Sequence, residues 1–176
     1  MMDILMAQLM RHEGANKDKD GLHRAYRCAA GKLTIGYGHN LDANPIRGLN
    51  AQSRITEQEA QRILSNDIAA TWVQVQKSLP WLWQVDAFAR KAALINMTFN
   101  LGLKGMLGFK KALDHMEHGR WEAAGYELRE SRWAIQVGQR ARELAFQIET
   151  GEFIAQPGQP TSLQEKQQNV DGKKTH

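Results

Sequence analysis

Three side chains in the first part of the chain, Glu13, Cys28 and Thr34, are of types that could carry out chemistry together. Glu13 is followed by Gly14, a residue that commonly ends a helix, so its carboxyl group is expected at the negative end of a helix dipole. That position favours the protonated form that a general acid needs near neutral pH. A thiol at Cys28 could attack as a nucleophile if ionised, or could simply fill space as a small buried side chain. A lone glutamate is more often a solvated residue at a helix end, so the assignment of Glu13 as an acid depends on the residues around it.

The elements expected around these residues are a helix, a loop and a short stretch of β structure. Residues 1–13 place apolar side chains on one stripe of a helix, with Gln8 and His12 among them. The polar segment ANKDKDG at 15–21 has no period and predicts a loop. At 33–38 apolar residues alternate with threonine and glycine, which predicts a strand, the only convincing one in the sequence.

The remainder of the ordered chain is predicted to be helical. Thr56 and Glu59 form a capping box that opens a helix. The segment 86–101 is apolar almost all round at its centre, so it is expected to be a buried central helix that ends at Gly102 and Gly105. Shorter helices are expected around 106–118, 120–130 and 139–149. From Gln156 onward the chain has almost no apolar residues, which is typical of disorder.

Together these elements predict an α+β fold in which a small N-terminal α+β lobe is joined by a long helix to a larger helical lobe. The domain is expected to cover residues 1–153, and residues 154–176 are expected to form a disordered tail. The expected bounds are about 13–55 for the small lobe, 56–79 for the linking helix, and 80–153 with the first helix for the helical lobe. A cleft between two such lobes is a preferred place for a ligand.

The composition is that of an ordinary globular domain with a basic surface. The 176 residues carry a net charge of +4 and have a pI near 9.3, which favours anionic surroundings such as cell walls, membranes or nucleic acid without choosing among them. A single cysteine excludes an intramolecular disulfide, and no apolar run is long enough to span a bilayer. Asp3 stands where a signal peptide has positive charge, so the chain is expected to fold in the cytoplasm. No metal-ligand spacing, phosphate loop or cofactor motif is present, so neither a metal nor a cofactor is expected.

Two motifs add a resemblance to this pattern. HEG at 12–14, followed by Y-x-C-x-x-G-x-x-T-I-G-Y-G-H at 26–39, resembles the signature of the T4-type phage lysozymes, glycoside hydrolase family 24. The segment at 90–109 resembles that family's central buried helix, and the segment at 131–153 resembles its closing segment. The resemblance implies a lysozyme-like two-lobed α+β fold. It also implies cleavage of the β-1,4 bond between N-acetylmuramic acid and N-acetylglucosamine, usually with inversion.

The resemblance assigns the catalytic acid to Glu13 and an active-site threonine to Thr34, but Cys28 stands where the family usually has aspartate. A thiol is mostly neutral at pH 7, so it orients water or balances an oxocarbenium ion less well than a carboxylate does. Cys28 also lies 15 positions after Glu13 (28 − 13), a longer interval than is common in the family. The extra residues include Asp18 and Asp20, one of which could swing into the cleft, although a solvated surface loop is the more ordinary expectation.

Several supporting positions follow from the same resemblance. Tyr26 flanks the active-site strands, Phe99 and Asn100 match cleft-facing residues, and Arg132 matches a residue at the cleft mouth, so these four are expected to bind substrate. Core packing remains an equal alternative for Phe99, and a plain surface role remains an equal alternative for Arg132.

His39 and Asp67 match a pair that links the lobes in the family. If the two side chains meet, the pKa of His39 should be raised, and the pair should then stabilise the fold mainly at acid to neutral pH.

The function expected from these features is that of an endolysin that hydrolyses bacterial peptidoglycan and lyses the host cell at the end of a phage cycle. Such an enzyme is made in the host cytoplasm and acts on the wall in the periplasm, so a holin is the expected partner, again by analogy with the family. The protein is expected to be a monomer, without nucleic-acid binding or stable membrane insertion. Two alternatives stay open: a lytic transglycosylase, and a non-catalytic peptidoglycan-binding protein.

Overall fold

The computed structural model describes residues 1–156, so nearly all of the tail predicted to be disordered lies outside the described residues. Within that range the chain is mainly helical, with short antiparallel strands towards its N-terminal end, and the predicted α+β class is confirmed. The helices are α1 (Met2–Glu13), α2 (Glu57–Ser78), α3 (Phe88–Leu107), α4 (Lys110–Glu117), α5 (Trp121–Arg129), α6 (Arg132–Val137) and α7 (Gln139–Thr150). The strands are β1 (His23–Arg24), β2 (Tyr26–Arg27), β3 (Leu33–Ile35), β4 (His39–Asn40) and β5 (Arg54–Ile55).

A three-stranded antiparallel sheet, in the order β2-β3-β4, forms the centre of the small lobe. Tyr26 lies opposite Thr34, and Ile35 lies opposite His39. The prediction of a single strand was wrong, because strands of two residues are too short to show an alternating pattern.

The predicted loop at 15–21 is confirmed, and the structure adds that this loop is tied to a second small sheet. Lys17 makes an isolated bridge to His23, and β1 pairs antiparallel with β5. The Arg54 guanidinium holds the segment from the other side, with Nε 2.6 Å from the Asp18 carboxylate and a terminal nitrogen 3.0 Å from that of Asp20. Residues 15–21, which we call the insertion, are therefore fixed to the rest of the small lobe by these contacts.

A polar cluster fixes this second sheet to the start of α2. The Glu57 carboxylate accepts hydrogen bonds from Tyr37 at 2.6 Å and Gln61 at 2.9 Å, and it lies 2.7 Å from His23 Nε2 and 2.9 Å from Lys17 Nζ. Burial alone would raise the pKa of Glu57, but these four partners outweigh it and hold the pKa well below its usual range. The carboxylate is thus the shared anchor of the insertion and the linking helix.

The predicted start of the linking helix is confirmed, and the central helix breaks at Gly102 as predicted but not at Gly105. Thr56 caps α2 by accepting a hydrogen bond from the backbone N–H of Glu59. In α3 the first segment ends at Gly102, whose φ of 72° breaks the helix, but the chain resumes helical geometry as far as Leu107. No helix in residues 1–156 is long and apolar enough to cross a membrane.

The helical lobe packs around α3, whose residues from Ala92 to Thr98 are all buried. The helix α7 packs against α3, α5 and α6. The six-residue helix α6 falls between the predicted helices and was missed, because one and a half turns carry too little periodicity to be recognised. Its first turn is capped by Ser131, which accepts from the N–H of Ala134.

Candidate active site

The α1 helix ends at Glu13 because Gly14 follows it with a φ of 68°, a left-handed conformation that glycine adopts readily. The helix therefore delivers the carboxyl group to the junction of α1, the three-stranded sheet and α7. The side chain keeps 18% of its surface exposed, so it is sheltered and still open to a ligand.

Two contacts hold the carboxyl group in one orientation. A terminal guanidinium nitrogen of Arg140 donates to Glu13 Oε1 at 2.9 Å. The other oxygen, Oε2, lies against Gly38 so closely that a Cβ built there would be 2.8 Å from it. The position of the Glu13 carboxyl group is thus set by α7 and the β3–β4 turn together.

Two of the residues predicted for the site, Tyr26 and Thr34, are opposite one another in neighbouring strands, which puts their side chains on the same face of the sheet. Cys28 directly follows β2. Burial raises the pKa of Tyr26, and the charges of Glu13 and Cys28 raise it further.

Cys28 opens a tight turn that closes at Gly31 with a φ of 78°. The N–H of Gly31 donates to the Cys28 carbonyl at 2.8 Å, and the N–H of Cys28 donates to the Lys32 carbonyl at 3.0 Å. The backbone N–H groups of Lys32 and Ala30 lower the pKa of the Cys28 thiol. The turn therefore makes the thiol easier to ionise at the position where the family usually has aspartate.

Thr34 is buried, and its hydroxyl donates to the Lys32 carbonyl at 3.0 Å. The acidic side chains of the insertion are engaged elsewhere, since Asp18 and Asp20 both pair with Arg54. In this structure both carboxylates are therefore engaged within the small lobe.

His39 and Asp67 join the sheet to α2. His39 Nδ1 lies 2.8 Å from Asp67 Oδ2, and His39 Nε2 lies 2.7 Å from the Asn44 carbonyl oxygen. Both ring nitrogens face acceptors, which suits the doubly protonated imidazolium. The Asp67 hydrogen bond raises the pKa of His39, with a smaller contribution from Asn44, against the opposing effect of burial.

The residues expected to bind substrate on the helical side lie at the end of α3 and the start of α6. Phe99 is half-buried against the core, and Asn100 is exposed. Asn100 Oδ1 accepts a hydrogen bond from Trp133 Nε1 at 2.7 Å, which orients the amide and leaves its NH₂ group available to a ligand. Arg132 is exposed in the first turn of α6. A cavity of about 450 Å³, lined in part by Asn100 and Arg140, opens beside these residues.

A set of polar side chains behind Glu13 was not recognised from the sequence. Arg140, buried in α7, is 2.8 Å from Asn96 Oδ1 through its Nε, and Glu143 in the same helix forms a bidentate ion pair with Arg11. The signal was the presence of polar residues at apolar-stripe positions of three helices. We refer to the following residues as the buried polar cluster: Gln8, His12, Asn96, Arg140, Glu143 and Gln147.

One group of possible metal ligands lies on the surface of α4, within residues 1–156. Asp114, Glu117 and His118 offer ligand atoms within 4.8 Å of one another, and all three are exposed. Asp114 already pairs with Arg120 at 2.8 Å. This group is remote in sequence from the Glu13 site and adds nothing to it.

An α+β fold with a sheltered carboxyl group between its small sheet and its helical lobe is the arrangement expected of a lysozyme-like protein. The family described as phage lysozyme matches residues 17–146, and the chain belongs to that family.

Similar proteins come from a eukaryote and from phages. A probable T4-type lysozyme 2 of Dictyostelium discoideum is 27% identical over 145 residues, which cover 72% of this chain and 85% of the relative. An endolysin of Acyrthosiphon pisum secondary endosymbiont phage 1 is 33% identical over 91 residues, covering 49% of this chain and 54% of the relative. The pre-baseplate central spike protein Gp5 of Enterobacteria phage T4 is 28% identical over 168 residues, covering 85% of this chain but only 28% of the spike protein.

Proposed function

We propose that this protein hydrolyses the β-1,4 bond between N-acetylmuramic acid and N-acetylglucosamine in bacterial peptidoglycan, with Glu13 as the general acid. The observation that carries the proposal is the Glu13 carboxyl group, which is sheltered, oriented by Arg140 and held against the β3–β4 turn at Gly38. Membership of the phage lysozyme family supports the same chemistry.

In the first part of the reaction, the proton of Glu13 passes to the glycosidic oxygen as the bond from that oxygen to the anomeric carbon breaks. The Arg140 guanidinium, 2.9 Å from Oε1, then stabilises the carboxylate that remains. Arg140 thus favours the product of proton transfer while keeping the carboxyl group aimed at the substrate. Positive charge develops on the sugar ring during this step.

On the opposite face of the sugar, Cys28 and Thr34 activate and orient the attacking water. A thiolate at Cys28, favoured by the backbone N–H groups of its turn, accepts a proton from water as the water oxygen bonds to the anomeric carbon. The Thr34 hydroxyl, anchored on the Lys32 carbonyl, orients that water with its oxygen lone pairs. Solvent then removes the proton from the thiol and returns one to Glu13.

The test begins with Glu13→Gln, which keeps the shape of the side chain and removes the acidic proton. Lysis of outer-membrane-permeabilised Gram-negative cells should fall at least about 100-fold, the usual contribution of a general acid. Glu117→Gln, the same change at an exposed position of α4, serves as the matched control and should lyse normally. Residual lysis above a tenth by Glu13→Gln, with the fold intact, would overturn the assignment of the acid.

A series at Cys28 tests the second half of the mechanism. Aspartate should retain or increase activity because it supplies a full charge, whereas serine and alanine should lower it by about 10- to 100-fold. Full activity of the alanine variant would show that the site does not use the thiol.

Product analysis separates the alternatives in reaction type. Hydrolysis adds water to each cleaved bond, whereas a transglycosylase releases an anhydro sugar that is lighter by one water. Mass spectrometry of digested sacculi should show the hydrated products. Binding to sacculi without any cleavage would instead identify a non-catalytic wall-binding protein.

In its biological setting we propose that the protein acts as an endolysin. The net charge of +4 supports approach to an anionic wall. A holin would give a cytoplasmic enzyme access to the wall, and the protein would act there as a monomer without a cofactor. Expression with and without a pore-forming holin, followed by culture turbidity, tests this role.

A further inference from the structure

The buried polar cluster joins α1, α3 and α7 behind the proposed acid, and its hydrogen bonds have one permitted direction. Arg140 Nε donates to Asn96 Oδ1 at 2.8 Å. Because arginine carries only donors, the oxygen of the Asn96 amide must face α7, and its NH₂ group must face α1. That NH₂ group lies 3.0 Å from His12 Nδ1.

This direction determines the protonation state of His12. Since Asn96 donates to Nδ1, that nitrogen must be an acceptor and carries no proton. The proton of the neutral ring is then on Nε2, which donates to Glu143 Oε2 at 3.0 Å. The second proton of the Asn96 NH₂ group goes to Gln8 Oε1 at 3.2 Å, so this NH₂ group acts only as a donor towards α1.

The charges around His12 partly oppose one another. Glu143 from α7 favours a proton on the ring, while Arg140 from α7 and Arg11 from α1 disfavour it, and α3 contributes only the neutral Asn96. Burial is the largest effect, and together with the two arginines it lowers the pKa of His12. The ring is therefore neutral at neutral pH and becomes charged on the acid side.

We propose that His12 and Asn96 are positioning residues that couple the protonation of His12 to the orientation of Glu13. A proton on His12 Nδ1 would face the NH₂ group of Asn96, so that two donors would meet. Turning the Asn96 amide over relieves this contact but places its NH₂ group against Arg140 Nε, which is also a donor. Arg140 then loses its 2.8 Å bond from Nε and keeps on Asn96 only the 3.3 Å bond from a terminal nitrogen to the backbone carbonyl, so the guanidinium holds Glu13 in a less fixed orientation.

The coupling makes the acid limb of the activity profile depend on a residue that does not touch substrate. It rests on the proposed function, because the loss of a held Glu13 matters only if Glu13 is the acid. Below the midpoint of His12 protonation, kcat should fall about tenfold per pH unit, as for any single essential deprotonated group. Loss of orientation should affect kcat more than KM.

The direct test follows the two side chains by NMR in the ¹⁵N-labelled full chain. The ring nitrogens of His12 report its protonation, and the Nε–H of Arg140 reports its bond to Asn96. The two signals should change with the same midpoint, and the acid limb of sacculus hydrolysis should include that midpoint. A protonated His12 with an unchanged Arg140 Nε–H signal would overturn the coupling.

The variant His12→Asn tests the same coupling through activity. Its side-chain oxygen can replace Nδ1 as the acceptor from Asn96 and cannot take up a proton in this range. The acid limb should move to lower pH by at least half a pH unit, and the Arg140 signal should stay constant through the wild-type midpoint. His118→Asn, the same change at an exposed position of α4, should leave the limb unchanged.

An acid limb that is identical in wild type and a folded His12→Asn would also overturn the proposal. If His12→Asn does not fold, the wild-type titration alone decides. These results are separate from those for the proposed function: full lysis by Glu13→Gln would refute the acid, whereas the Arg140 signal would still report whether the two residues are coupled.

Discussion

The ion pair between His39 and Asp67 should make the free energy of unfolding depend on pH. The change that tests it is Asp67→Asn, which removes the charge and keeps a side chain of the same shape. His39 is 7% exposed and Asp67 is 27% exposed, so the pair is only partly screened by solvent. A hydrogen bond between charged groups contributes about 1.5–3 kcal/mol, and the partial exposure of Asp67 places the expected loss near the lower end, about 1.5–2 kcal/mol.

The direction of this pH dependence follows from the raised pKa of His39. The unfolded chain binds the proton with a pKa of about 6.5, and the folded chain binds it more tightly. The stabilisation is therefore fully present below about pH 6.5 and is lost as the pH rises through the higher pKa of the folded state. Asp67→Asn should cost about 1.5–2 kcal/mol at pH 5.5 and less than about 0.5 kcal/mol at pH 8.5.

The assay is urea unfolding of both proteins at the two pH values, supported by thermal unfolding. For a chain of this size the loss at pH 5.5 corresponds to a fall in Tm of about 3–8 °C. Asp86→Asn, which removes one charge from an exposed position, controls for the change in net charge and should show little dependence on pH. A loss that is equal at both pH values, or larger at pH 8.5, would refute the reasoning.

Three further substitutions test other contacts. Gly38→Ala would place a Cβ 2.8 Å from Glu13 Oε2 at a φ of 80°. Lysis should therefore fall at least tenfold, and stability should fall by about 1–2 kcal/mol. An unchanged kcat would argue against close contact between residue 38 and the Glu13 carboxyl group. Arg54→Ala removes the bonds that hold Asp18 and Asp20 of the insertion. Amide hydrogen exchange at residues 16–24 should then report faster opening, while exchange in α7 stays unchanged. Thr56→Ala removes the cap of α2 and should cost about 1 kcal/mol in urea unfolding; an effect near zero would mean that water replaces the cap.

The parts of the fold that were predictable from the sequence are those with local signals. Three such signals determine the structure of only a few neighbouring residues: the cap at Thr56, the glycine after Glu13 and the apolar run at 92–98. The structure has a helix start, a helix end and a buried helix at these places. The strands other than β3 have only two residues each, so no alternating pattern can reveal them.

The candidate site divides in the same way. Glu13, Cys28 and Thr34 were predicted through two motifs within residues 12–39, but Arg140 was not, since nothing near it in the chain points to a partner in α1. Its contact with Glu13 spans 127 positions. A polar residue on an apolar stripe, such as Asn96, was the available hint, and only the assembled core shows what it binds.

The long separation between Glu13 and Arg140 has a consequence for the order of events during synthesis and folding. Contacts between residues far apart in the chain close the largest loops, and their entropic cost delays them. A nascent chain can form α1 and the small sheets well before α7 has been made, yet its glutamate then has no guanidinium beside it. The alignment of Glu13 is thus acquired with α7, the last helix within residues 1–156, and a chain interrupted before Gln139 lacks the guanidinium that holds this carboxyl group.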